Sequence, residues 1–93
     1  MSAGRLLPWT GEDGRPCYLV GDGVGPVSRL ADDIEAIRLG MAEGLLGHAE
    51  ELLADRRATS GELHHLASRL TESLRDVKRV AESRGARRVR QRR

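Results

Sequence analysis

Phenylalanine and asparagine are absent from this 93-residue chain, and Trp9 and Tyr18 are its only aromatic residues. Everything after Ser28 must therefore be packed with Leu, Ile, Val, Ala and Met41, side chains that suit helix against helix. A chain this short buries only roughly 60–65% of its unfolded surface, so one small domain is the upper limit and a second surface to pack against is expected. Cys17 is the only cysteine, which excludes an intrachain disulfide and a thiolate zinc cluster. No apolar run approaches the roughly 20 residues of a membrane span, and the start, MSAGRLLPWTGED, lacks the core of a signal peptide. A cytoplasmic protein is expected.

Lysine is also scarce: Lys78 is the only one among 16 basic residues. Arg, Gly and Ala have GC-rich codons, so part of this arginine preference reflects coding. The charge is unevenly placed. Residues 1–85 hold 11 basic against 14 acidic residues, net −3, whereas residues 86–93, ARRVRQRR, hold five arginines and no acid, net +5. The body is mildly acidic and the tail, with Arg87, Arg88, Arg90, Arg92 and Arg93, is basic.

Several elements can be read directly. LLPWT and PCYLV flank GEDGR, where Asp13-Gly14 is a turn signal. Pro8 and Pro16 cannot donate to a ladder, so a hairpin here is short and edge-like, anchored on the helices by Trp9 and Tyr18. GDGVGP breaks the chain, and Ser28 is the expected N-cap of a first helix, with Asp32 and Asp33 near its positive end. Leu30, Ile34, Ile37, Met41, Leu45 and Leu52 form its stripe, with Leu30, Met41 and Leu52 spaced by 11. Leu46, Ala49 and Leu53 widen it. Gly40, Gly44 and Gly47 interrupt this helix, either as a smooth strip for another backbone or as a weak middle.

Thr59 and Glu62 fit a capping box after the turn. A second stripe follows in Leu63, Leu66, Leu70, Leu74, Val77 and Ala81, with Arg69, Glu72, Arg75, Asp76 and Arg79 on the solvated side, and Gly85 as the stop. The short link makes the helices antiparallel neighbours.

The chemical motifs are weak. CYLVGDGVGP has Gly21 and Gly23 of a dinucleotide fingerprint, but Pro26 replaces the third glycine, no parallel strand follows and no lysine is near. His48, His64 and His65 could approach Glu51 and Glu62 across the turn, yet adjacent histidines diverge by about 100° on a helix, so surface histidines are expected and no metal or cofactor site. Cys17 has no histidine near it in sequence and reads as a half-buried strand residue. No catalytic constellation emerges. The arginine tail can neutralise phosphates without base specificity.

The stretches LPWTGEDGRPCYLVGDGVGPVSRLADDIEAIRLGMAEGLL and LASRLTESLRDVKRVAESRG resemble a family of small actinobacterial proteins, over roughly residues 6–85. The shared elements are an LPW…PCYL start, a Gly-Asp-Gly turn, SRLAD at the first helix and, near the end, Leu74, Arg75, Asp76 and Val80 to Gly85. The resemblance implies no activity, cofactor or site residue.

The expectation is a mainly α fold: an extended arm or β-hairpin over 1–27, a helical hairpin over 28–85 with helices at 28–54 and 60–84, and a basic disordered tail over 86–93. Two copies would form a four-helix arrangement burying both stripes. The expected function is a non-enzymatic regulatory or adaptor module docking through Leu30, Ile34, Ile37, Met41, Leu45, Leu52, Leu63, Leu66, Leu70, Leu74 and Val77, on a second copy or another helical protein. The alternative is a nucleic-acid-associated protein using the tail.

Overall fold

The computed structural model describes the backbone of residues 4–21 and 25–91. Its order is β1 (Arg5–Thr10), β2 (Pro16–Leu19), α1 (Pro26–Ala54) and α2 (Ser60–Gln91). The extents are 56 × 28 × 22 Å and the radius of gyration is 16.7 Å, against about 12 Å for a compact chain of this length. α2 sets the long dimension, since 32 helical residues span about 48 Å.

β1 and β2 pair antiparallel, with Arg5 opposite Leu19, Leu6 opposite Tyr18 and Thr10 opposite Pro16. Between the last two pairs β1 carries two extra residues, around Pro8, which has no N–H to give to a ladder. The turn works as Asp13-Gly14 predicts: Gly14 has φ +77°, its N–H donates to the Gly11 carbonyl at 2.9 Å, and the Arg15 N–H donates to Asp13 Oδ1 at 3.0 Å.

α1 begins two residues before Ser28. Gly25 is the N-cap and Pro26, whose φ is already helical, occupies the first turn. Ser28 is thus inside the helix and buried, and Asp32 and Asp33 fall beyond the first turn, away from the free N–H groups. Asp22, Gly23 and Val24 of the glycine loop lie outside the described residues. At the other end the capping box forms as expected: the Glu62 N–H donates to Thr59 Oγ1 at 3.1 Å, and the Thr59 N–H donates to Glu62 Oε1 at 3.1 Å. α2 then runs through Gly85 to Gln91, so the backbone of most of the basic segment is helical. Arg92 and Arg93 lie outside the described residues, as do the side chains of Arg87, Arg88 and Arg90.

The ribbon is fixed where the start of α1 meets the last third of α2. Leu6, Leu7 and Pro8 are buried together with Ala31 and Val80. Ser83 Oγ donates to the Leu6 carbonyl at 2.6 Å. The Arg5 guanidinium donates to the Ser28 carbonyl at 2.8 Å, to Asp32 Oδ1 at 2.7 Å and to Glu35 Oε2 at 3.3 Å. Glu35 is only 1% exposed, and its other oxygen accepts from Arg84 Nε at 3.4 Å. Arginine at position 5 thereby stitches the ribbon to α1, and Glu35 carries the stitch on to α2. Tyr18 is 61% exposed and does not anchor the arm. It stands opposite the buried Leu6 but on the outer strand of the ribbon, and the anchoring falls to Arg5, Leu6, Leu7 and Pro8. Trp9 is half-buried.

Candidate interaction surface

The residues of α1 nearest α2 are small or polar. Ala31, Glu35 and Ala49 are buried, and Arg38 and Ala42 are half-buried. Positions 31, 35, 38, 42 and 49 follow the 4-3-4-7 spacing of a seam. Large side chains are consequently displaced to either shoulder of that seam. α2 contributes Leu66 and Val80 to the buried interface.

This offset divides the stripe expected from the sequence. Of its eleven residues only Leu66 is buried; Ile34, Leu45, Leu52, Leu70 and Val77 are half-buried, while Leu30, Ile37, Met41, Leu63 and Leu74 are exposed. They also open on two different sides. Met41 and Leu45 line a groove with Arg38, Arg69, Glu72, Ser73 and Asp76, a mixed and charged surface on which Arg38 and Asp76 face each other at 4.0 Å. Leu70, Leu74 and Val77 line the other groove with Ala42, Leu46 and Ser73, an almost wholly apolar surface. The two stripes therefore do not make one face.

The apolar groove is the side that the ribbon leaves uncovered. Ser83, which holds β1, stands nine residues from Leu74, half a revolution around α2. Leu46 is 58% exposed, Leu53 73% and Leu74 69%. On this side Leu39, Leu46 and Leu53 recur every seventh residue in α1, as do Leu63, Leu70 and Val77 in α2. A seven-residue apolar repeat on two adjacent antiparallel helices is the pattern of packing between helices. The 11-residue spacing of Leu30, Met41 and Leu52 masks this repeat and leaves Leu46 and Leu53 at the margin of the stripe. The repeat beginning at Leu39 was the available signal.

A second, polar cleft lies at the end of the ribbon, where Pro8, Trp9 and Thr10 face Arg38, Arg75, Asp76, Lys78, Arg79 and Glu82. Lys78 donates to the Glu82 carboxylate one turn further along. That hydrogen bond chiefly, then the charge of Lys78, holds the Glu82 carboxyl below its ordinary range, with Arg79 adding a little.

Cys17 is half-buried, in β2. His48, His64 and His65 are all exposed. Among the described residues no group of three or more His, Cys, Asp or Glu side chains is placed to hold a metal, and no helix is long and apolar enough to cross a membrane. An added Cβ at Gly40, Gly44 or Gly47 would meet nothing within 4 Å, so no backbone among the described residues uses the glycine strip.

No family model, curated protein or solved structure matches the chain. The class that its architecture defines is a two-helix antiparallel hairpin closed at one end by a β-ribbon.

Proposed function

We propose that the chain is a non-enzymatic regulatory or adaptor module of the cytoplasm that acts by docking other helices on its uncovered apolar face. The observation that carries this reading is the exposure of Leu46, Leu53 and Leu74 on one side of the helical hairpin. Burying a leucine is worth about 1.5–3 kcal/mol, so three left in water on a single rigid face favour an external partner. Helices that present apolar residues at seven-residue spacing bind other amphipathic helices through such grooves.

A photo-crosslinking residue placed at Leu74 tests this in cells. Crosslinks to protein from position 74, but not from Ser68 on the solvated side, support docking through this face, and their loss in Leu46→Asp ties them to the groove. Equal labelling from both positions, or none from either, removes the reading.

A second reading is favoured by one observation. α2 continues through the start of the arginine-rich segment, beside the cleft in which Trp9 is set among Arg75, Lys78 and Arg79. Cations around a half-buried ring suit a phosphate backbone with a stacked base. Deleting residues 86–93 and titrating DNA and RNA across salt tests it: salt-sensitive binding lost with the tail supports it, and absent or unchanged binding removes it.

A further inference from the structure

We infer that the polar cleft beside Trp9 binds a phosphomonoester carried on a flat ring, the chemistry of a nucleoside monophosphate. The inference goes beyond both readings above. It needs neither the apolar face nor the arginine tail, and it gives the cleft a ligand of its own.

The cleft is an open gap of about 450 Å³ between β1, α1 and α2, within the range of about 300–1,000 Å³ of small-molecule sites. Four of its lining side chains are cationic and two are carboxylates, net +2, on a body whose residues 1–85 carry net −3. Both carboxylates already have a basic partner. Arg38 Nε faces Asp76 Oδ1 at 4.0 Å, and Lys78 donates to Glu82. Arg75 and Arg79 are left with no hydrogen bond or ion pair among the described residues. Arg79 is half-buried, so an anion there meets a guanidinium already partly stripped of water.

The two unpaired arginines also select the kind of anion. They stand one turn apart on α2, with Cβ atoms about 6 Å from each other. Two planar forks at that spacing close on one tetrahedral dianion through paired N–H donors. A carboxylate offers two oxygens in one plane and engages one fork. Phosphate is the fuller match.

Trp9 supplies the other half of the ligand. It is half-buried, it lines the cleft, and it follows the fully buried Pro8, so the indole is held at the wall. A heterocycle stacked on such a ring binds about 5- to 150-fold more tightly than one without it. Because the cleft joins three elements, occupancy also ties the ribbon to both helices and stabilises the fold.

Trp9 is the only tryptophan, so a single indole N–H cross-peak in an NMR spectrum of the full chain reads the cleft directly. AMP should shift it saturably, with Kd of about 0.1–1 mM, and raise Tm. Adenosine, which lacks the phosphate, and ribose 5-phosphate, which lacks the base, should each bind about fivefold more weakly or worse. Arg75→Ala and Arg79→Ala should weaken AMP by about fivefold or more with helical circular dichroism intact. Arg56→Ala, an exposed position in the hairpin turn, should change nothing. No saturable shift, or an equal loss in Arg56→Ala, overturns the site. Inorganic phosphate that binds as well as AMP overturns the ring as part of the ligand. A hexa-aspartate peptide that moves the cross-peak where AMP does not overturns the phosphate. A 5′-phosphorylated trinucleotide that binds where AMP does not overturns the free ligand in favour of a strand.

Discussion

Ser83 Oγ donates a 2.6 Å hydrogen bond to the carbonyl of Leu6, joining positions 77 residues apart in a buried setting. Ser83→Ala removes the donor and leaves that carbonyl buried without it. A loss of about 1–3 kcal/mol is expected, read as a lower urea midpoint. An unchanged midpoint would mean that the ribbon contributes little to global stability.

Arg5 is the more consequential residue. Only 6% of its side chain is exposed, and it faces Asp32 at 2.7 Å and Glu35 at 3.3 Å. Its Nε is buried with no hydrogen-bond partner among the described residues, so the cluster is incompletely satisfied. Arg5→Ala or Glu35→Ala alone leaves an opposing charge buried and is expected to cost about 3–5 kcal/mol. The double variant Arg5→Met/Glu35→Leu, which removes both partners, should be closer to wild type than either single variant. Thermal melts of the four proteins check the ordering.

Much of this architecture was legible in the sequence, and the particulars show why. Gly14, Thr59 and Glu62 act through local geometry, and each does what its residue type and spacing predict. Ser28 misled because a serine ahead of an apolar run looks like a cap, while the signal that decides the start is Pro26, two residues earlier. The role of Arg5 was invisible, since its partners are 23 to 30 residues away and nothing local distinguishes it from the other arginines. By residue type Tyr18 is an anchor, yet β1 carries the packing against both helices and β2 lies outside it. The docking face was half legible. The stripe residues were correctly seen as apolar, but which of them faces α2 depends on the small side chains at 31, 42 and 49, a property of the pair of helices.

Gly40, Gly44 and Gly47 offer a stabilising change. Each is an exposed interior position of α1 with open space where a Cβ would stand. Replacing all three by alanine should add about 2–3 kcal/mol and raise Tm by on the order of 10 °C. A raised Tm with unchanged self-association leaves the strip without a partner, whereas weakened association would show that a backbone packs there.

The Lys78–Glu82 pair makes a pH prediction of definite sign. The Glu82 carboxyl is held below its ordinary range in the folded chain. Its contribution to stability is therefore present above the unfolded value and lost as pH falls through the folded one. Both groups are on the surface, so the effect on global stability is small. In an NMR titration, the Glu82 carboxyl carbon should titrate below the other exposed glutamates, and Lys78→Met should return it to their range.

The ribbon's attachment also imposes an order of events. α1 and α2 are joined by a five-residue link, so their pairing can begin at the turn and extend outward. β1, although first in the sequence, docks on Val80 and Ser83, so its site does not exist until α2 has formed. Contacts of such long sequence separation come late, and residues that join late affect unfolding rather than folding. Leu6→Ala should therefore leave the refolding rate nearly unchanged and accelerate unfolding in stopped-flow measurements. During synthesis, the first strand waits for the last helix.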